Sequence, residues 1–365
     1  MDVDDLIATM TDLCGLDAPP GFEAPAMAYF RDRLVPVADE VRLDAFGNLV
    51  AVRNGPEGAP RIMVSAHADE VAMIVTRIEN NGFVRFTPLG CPTAQLLPGR
   101  RVRAGRSAGV IGVKSDHLMT REEREHRTVP DAGDLYIDLG ATSGEEVLAM
   151  GVRVGTPVTH VSEVFRLGES RRYAGKAIDN RLSCALLLHL FAELHGRQLP
   201  ATVLGVITVQ EEVGMRGASM VAFRERPDLA LVIDVTICED TPEFPAPVMG
   251  SRRLSGGPVI HILEQSPASG RGMIAHPKLV EAVLSRAVKA GIPHQTAVFI
   301  GGATDAAHIH LSRGGVPACY LGIPCRYAHS PVEVFDVDDA LAAFALAKEF
   351  LASPPPLSEI VLVEP

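Results

Sequence analysis

What the sequence lacks narrows the field first. No Lys/Arg-rich run interrupts an acidic balance of 34 Lys+Arg against 45 Asp+Glu, a formal net charge of −11. Without such a run there is no electrostatic footprint for phosphate backbones or anionic lipid, so neither nucleic acid nor a membrane surface is an expected partner. No apolar stretch approaches the ~18 residues of a membrane span, and Met1-Asp2-Val3-Asp4-Asp5 is acidic where a secretory signal would be basic. A cytoplasmic chain is expected. The six cysteines, at 14, 91, 184, 238, 319 and 325, form neither a CxxC pair nor a dense framework. Reduced, mostly buried thiols follow rather than disulfides. Internal repeats and low-complexity tracts are missing too.

What is present suits a globular chain with a sizeable core: 365 residues, 47% apolar and 22% charged. At ~150 residues per domain the length suggests about two domains. Short apolar runs at Ile62 to Ala66, Thr202 to Val209, Leu229 to Val235 and Val316 to Ile323 carry polar or Gly/Pro punctuation, which predicts strands buried on both faces. Helices are predicted between and after them. Leu182 to Leu194 is apolar nearly all round and follows Asp179-Asn180 as a cap; Leu279 to Val288 carries an i, i+3/i+4 stripe ending at Gly291; Asp336 to Ser353 stops at three prolines. Strands alternating with helices imply an α/β sheet between helix layers.

The middle of the chain, about 71 to 163, reads differently. Strand-like fragments at Ala72 to Ile78, Gly82 to Thr87, Arg101 to Ala104, Gly109 to Val113 and Asp134 to Leu139 are separated by Gly/Asn/Pro turns, with a helix only at Ser143 to Met150. That pattern predicts a small β domain inserted into the α/β one, with Asp116 to Gly133 as a mobile loop.

Imidazole and carboxylate groups concentrate in a few segments at predicted strand ends, where open α/β sheets collect ligands. His67-Ala68-Asp69-Glu70 offers an imidazole and, two residues on, a carboxylate able to hold its other ring nitrogen. Asp179-Asn180 reads as a helix cap or a ligand. Glu211-Glu212 follows the strand Thr202 to Val209, where two adjacent acids repel each other unless a cation or a proton compensates. With a metal there, one carboxylate could ligate and the other take a proton from water, a division suited to hydrolysis. Asp234 ends the strand at Leu229 to Ile233, and Arg326 to Glu333 brings His329. The glycines of Gly301-Gly302-Ala303-Thr304-Asp305 would let backbone amides approach a substrate. His308 and His310 do not share a helix face and are read as structural, as are His261, His276, His294, Cys319 and Cys325. Two imidazoles with several carboxylates suit two metals ~3.5 to 4 Å apart bridged by a carboxylate, and fit neither a structural zinc nor Mg²⁺ or Ca²⁺.

These residues resemble the co-catalytic di-metal aminopeptidases of the tetrahedral, glutamyl/deblocking type. The matching blocks are His67 to Glu70, Ala177 to Arg181, Thr208 to Ala218, Ile233 to Thr236, Gly301 to Asp305 and Arg326 to Pro331, in family order. Gln210-Glu211-Glu212-Val213-Gly214 with Arg326-Tyr327-Ala328-His329-Ser330-Pro331 is the most specific combination. The departures are Ala68 for a commoner Met, Cys238-Glu239-Asp240, and one extra residue in Gly301 to Asp305.

The resemblance implies a three-layer phosphorylase/peptidase-like catalytic domain (1–70 and 164–365) with a mixed sheet between helices, interrupted by a small β-barrel-like insertion (71–163) for oligomerisation and access. It implies that His67 and Asp234 bind one metal, Glu212 and His329 the other, and Asp179 both. Glu211 would be the general base, and Asp69 would orient His67. Two divalent ions per chain are expected, zinc or alternatively cobalt or manganese, together with short peptide substrates and dimers assembling to a dodecamer. The expected activity is a metal-dependent aminopeptidase using a water activated by two ions. The alternatives are a di-metal N-acyl-amino-acid deacylase or carboxypeptidase, with Arg216, Arg252, Arg253 or Arg326 clamping a substrate carboxylate, and a catalytically inactive metal-binding assembly protein.

Overall fold

A computed structural model of the chain describes residues 1–125, 131–244 and 249–362. Three strands, β1 (Glu40–Leu43), β2 (Leu49–Arg53) and β3 (Arg61–His67), come first; β4 (Ala72–Ile78), β5 (Val84–Leu89), β6 (Arg101–Ala104), β7 (Ser107–Gly112), β8 (Tyr136–Asp138) and β9 (Pro157–His160) then form a separate closed barrel. The first sheet resumes with β10 (Phe165–Arg166), β11 (Arg172–Gly175), β12 (Thr202–Thr208), β13 (Leu229–Ile237), β14 (Val259–Gln265), β15 (Gly272–Ile274), β16 (Gln295–Ile300), β17 (Ala318–Arg326) and β18 (Glu333–Asp336). Its order is β1-β2-β12-β3-β13-β17-β18-β11-β10, with β14 to β16 branching from β17.

The centre of this sheet is parallel, β12-β3-β13-β17, and its flanks are antiparallel. The apolar runs explain the centre: from Val203 to Thr208 and from Leu229 to Thr236 every residue is buried, as strands covered by helices on both faces require. Helix Ile178–Leu194 packs on β3 and β13 and against helices Val3–Gly15, Ala24–Leu34 and Val337–Ala352. Helices Arg216–Glu225 and Ala306–Ile309 touch each other and β12, β13 and β17, completing a three-layer α/β arrangement. Gly205 in β12 has no side chain because the ring of Phe191 occupies that space. Among the described residues no helix is long and apolar enough to cross a membrane.

The barrel has its own core, including Met73, Val84, Val102, Ile137 and Val158. Of the segment expected as a loop, 126–130 lie outside the described residues, while Asp116–Leu118 and Ala132–Asp134 are single 3-10 turns and Arg121–Glu125 a short helix. The helix expected at the barrel's end is present as Gly144–Ala149, capped by the Ser143 side chain.

One expectation changes at the start of helix Ile178–Leu194. Asp179 and Asn180 have non-helical backbone angles, and neither side chain caps the helix. Asn180 Nδ2 donates to the Ile233 carbonyl, and the Asp179 carboxylate faces two imidazoles. The competing pull of those rings removes Asp179 from the capping role its residue type favours.

Candidate active site

Parallel strand order brings the chemistry together. Thr208 pairs with His67 across β12 and β3, so Glu211 and Glu212 leave β12 beside the end of β3. On the other side, Ser65 pairs with Val232, which sets Asp234 level with His67 and on the same face. Asp179 and His329 arrive from the turns after β11 and β17. The result is two triplets of potential ligand atoms, His67/Asp179/Asp234 and Asp179/Glu212/His329, each gathered within 4.8 Å, with a third set, His67/Glu211/Glu212, overlapping both.

The distances show how these groups face each other. Asp179 Oδ1 is 3.0 Å from His67 Nε2 and its Oδ2 is 3.4 Å from His329 Nε2. Asp234 Oδ1 and Glu211 Oε2 lie 3.7 and 4.0 Å from His67 Nε2, and Glu212 Oε2 lies 3.4 Å from His329 Nε2. Both imidazoles turn Nδ1 to a main-chain carbonyl, His67 to Asp69 at 3.1 Å and His329 to Cys91 at 3.0 Å. A carbonyl only accepts, so Nδ1 carries the proton and each Nε2 is aimed at the carboxylates.

Asp69 does more than its sequence position suggests. Its carboxylate is 3.6 Å from His67 Nδ1, farther than its own carbonyl, while Oδ1 and Oδ2 accept the Glu211 and Glu212 amide protons at 3.0 Å each. The rest of that turn is tied down as well. Val209 N–H donates to Asn48 Oδ1, Gln210 N–H to Glu23 Oε1, and the Gly214 and Met215 amides to the Glu211 carbonyl. Gln210 and Met215 hold left-handed backbone angles, unusual for side-chain-bearing residues and persistent only where surroundings enforce them.

The electrostatics describe a cluster short of positive charge. Burial, and then neighbouring carboxylates, push Glu211 and Asp234 well above the usual carboxylate range and Glu212 up to about 7. Burial opposes protonation of His67 and His329, but the surrounding carboxylates overcome it and hold both imidazoles well above their ordinary value. Asp179 is lowered: burial would raise it, and the hydrogen bonds from His329 and His67 outweigh that. Glu212 Oε1 is buried with no hydrogen-bond partner. Imidazole nitrogens and carboxylate oxygens converging on one space, with an orphaned oxygen among them, are a donor set that divalent cations fit.

Some supporting groups carry little sequence signal. Glu333 is buried, and its two oxygens accept the Asp179 and His329 amide protons at 2.8 Å each; burial, then Asp179, raises its pKa well above normal. Asp305 Oδ2 accepts from Thr208 Oγ1 at 2.5 Å and its Oδ1 is orphaned, with burial pushing it to about 6. An acid opening the short strand Glu333–Asp336, and one just before the short helix Ala306–Ile309, were the available clues. Fully buried Arg181 donates to the Ala68 and Leu13 carbonyls and pairs with Glu70 at 3.3 Å, bracing the strand end beneath His67.

A cleft of about 410 Å³ opens over the cluster, lined also by Cys91, Phe299, Gly301, Thr304, Tyr320 and Arg271. Gly301 and Gly302 serve packing: a Cβ on either would lie 3.0 or 2.9 Å from the Phe299 ring. His308 bonds Ser219 Oγ on the helix Arg216–Glu225, and His310 the Ala306 carbonyl one turn back. Of the four arginines considered as carboxylate clamps none lines the cleft. Arg252 pairs with Glu239, Arg326 forks onto Asp240, and Arg216 bonds Gln210.

The sequence profile described as M42 glutamyl aminopeptidase matches residues 47–346. A glutamyl aminopeptidase of Lactococcus lactis is 30% identical over 361 residues, 97% of each chain. Among solved structures, an aminopeptidase from the archaeon Desulfurococcus kamchatkensis superposes with a TM-score of 0.90 at 37% identity, covering 99% of both chains. The TET1 peptidase of Pyrococcus horikoshii, described as assembling into a tetrahedron or a large octahedral shell, does so with a TM-score of 0.82 at 28% identity over 95% of this chain and 99% of its own.

Proposed function

The chain belongs to the M42 glutamyl aminopeptidase family and is an aminopeptidase, a hydrolase of peptide bonds; on that premise we propose that His67, Asp179 and Asp234 would hold one divalent cation and Asp179, Glu212 and His329 a second. The observation that carries this reading is the sharing of one residue by two triplets, with each Asp179 oxygen turned to a different imidazole. Zinc suits a mixed imidazole and carboxylate donor set, and cobalt and manganese are the alternatives.

When bound, the cations would polarise the scissile carbonyl and acidify an attacking water. Glu211 is the general base. Its side chain lines the same cleft as Asp179, takes the water's proton, and returns it to the leaving amine, a role worth about 10²–10⁴-fold in rate. Asp69 positions this base by gripping two successive amides of its turn. The carboxylate-rich wall also gives a substrate's free α-amine a place to bind, which favours removal of one residue from an N-terminus over internal cleavage. A cleft of about 410 Å³ admits short unfolded peptides.

Residues 71–163 are the inserted unit in this reading, mediating oligomerisation and access, and 1–70 with 164–365 the catalytic unit. Dimers assembling to a dodecamer in the cytoplasm would follow the shells described for the Pyrococcus horikoshii relative. A deacylase or carboxypeptidase is less well supported, because none of Arg216, Arg252, Arg253 and Arg326 lines the cleft. The test compares aminoacyl-anilides, their N-acetylated forms and acyl-amino acids, before and after chelation and Zn²⁺ or Co²⁺ re-addition. Free aminoacyl substrates should be hydrolysed only with metal; turnover of the blocked forms alone would overturn the reading.

A further inference from the structure

The two halves of the ligand cluster are held by different parts of the chain. His67 ends a buried strand, and the acceptor for its Nδ1–H is the carbonyl two residues on. Asp234 sits inside β13, its Oδ1 accepting the Val235 amide proton. Both belong to the sheet.

His329 depends on the barrel. Its side chain is 33% exposed, against 2% for His67, and its backbone is left-handed at φ 62°. Glu333 fixes its amide from the sheet side, but the ring has another anchor. Among the described residues, the acceptor for Nδ1–H is the Cys91 carbonyl, in the loop leaving β5, and the Thr93 amide donates back to the His329 carbonyl at 3.0 Å. Gly90, the first residue of that loop, adopts φ +78° and lies against Glu212: a Cβ there would be 3.3 Å from Glu212 Cβ and Oε2 and 3.1 Å from Val71 Cγ1. The loop therefore touches both residues of the Glu212–His329 pair.

We propose that the Gly90–Thr93 segment of the barrel is a positioning element for the Glu212–His329 half of the metal site, making that half the weaker of two unequal sites and tying its affinity to how the barrel is seated. This rests on the two-cation reading above. The physical basis is that partners bonded to a ligating imidazole fix its tautomer and direction, and losing them typically costs 10–100-fold in metal affinity or activity. Here those partners are main-chain groups of another folding unit, so their side chains are replaceable and their backbone is not.

The experiment titrates the chelator-stripped full-length chain with Zn²⁺, following stoichiometry and both dissociation constants by calorimetry. Thr93→Pro is the sharper variant. Thr93 has φ −65°, the value proline imposes, so the change removes the amide proton that bonds His329 with little strain; Thr93→Ala keeps that proton and is the control. Gly90→Val presses on Glu212 and gives an independent second variant. The wild type should bind two ions of unequal affinity. Thr93→Pro and Gly90→Val should weaken only the weaker ion, by about 10–100-fold, with Thr93→Ala close to wild type. Unchanged constants in both variants, or equal weakening of both ions, would overturn the proposal. Fewer than two ions on the wild type would overturn the two-cation reading itself.

Discussion

The α/β sheet and the barrel meet at one cleft but contribute to it in different currencies. The sheet supplies side chains: His67, Glu211, Glu212 and Asp234 stand on or just beyond parallel strands whose interiors are buried on both faces. The barrel strands are only partly buried, as in β4 and β7, and the barrel supplies main-chain groups, the Cys91 carbonyl and the Thr93 amide. Residue identity therefore matters at the sheet's strand ends, whereas shape and backbone matter in the barrel loop.

The largest effect expected from breaking this contrast is on the sheet side. Glu211→Gln keeps volume and removes the proposed base, so kcat should fall by about 10²–10⁴-fold while the chain still binds two ions per subunit, measured by metal analysis after gel filtration. Loss of an ion instead would make Glu211 a ligand, as the overlapping His67/Glu211/Glu212 set allows.

The next effect separates the two cores. Phe191 is fully buried and fills the space left by Gly205 in β12, so Phe191→Ala should cost about 3–5 kcal/mol in urea unfolding. Ile137 is equally buried, but in the barrel core, and Ile137→Ala should cost about 2–5 kcal/mol. Hydrogen exchange distinguishes them: faster exchange confined to β4 to β9 is expected for Ile137→Ala, and exchange spreading equally through β3, β12 and β13 would show that the two regions open as one.

The same contrast explains what could be read from the sequence. The parallel strands and the helix Ile178–Leu194 were legible because burial on both faces writes itself as continuous apolar runs. The acids and imidazoles stood out because they end those runs, as Glu211 and Glu212 do after β12. The N-terminal helices Val3–Gly15 and Ala24–Leu34 left no comparable mark, being amphipathic and separated by Pro19 and Pro20. Taken by itself, Asp179 read as a helix cap or a ligand, because local propensity ignores a pair of imidazoles brought in from β3 and from the turn after β17. Glu333 was visible as a residue but not as a partner, since its role is to accept amides of residues 154 and 4 positions away. Backbone donors and acceptors such as Cys91 O and Thr93 N are invisible in principle: every residue carries them.

Asp69 offers the smallest and most discriminating test, because it combines both modes of support in one residue. Its carboxylate could act on the imidazole of His67, 3.6 Å away, or on the turn that carries the base, whose two amides it binds at 3.0 Å. Asp69→Asn preserves shape but leaves one acceptor oxygen for two donors, so one of the Glu211 and Glu212 amides then faces an NH₂ group. If the turn is the main object of the carboxylate, kcat should fall by about 10–100-fold with zinc affinity at the His67 and Asp234 site intact, since the Asp69 carbonyl still holds His67 Nδ1–H. If the imidazole is the object, affinity at the His67 and Asp234 site should fall instead. The shorter distances favour the first outcome, in which the strand end, through a side chain, does for Glu211 what the barrel, through its backbone, does for His329.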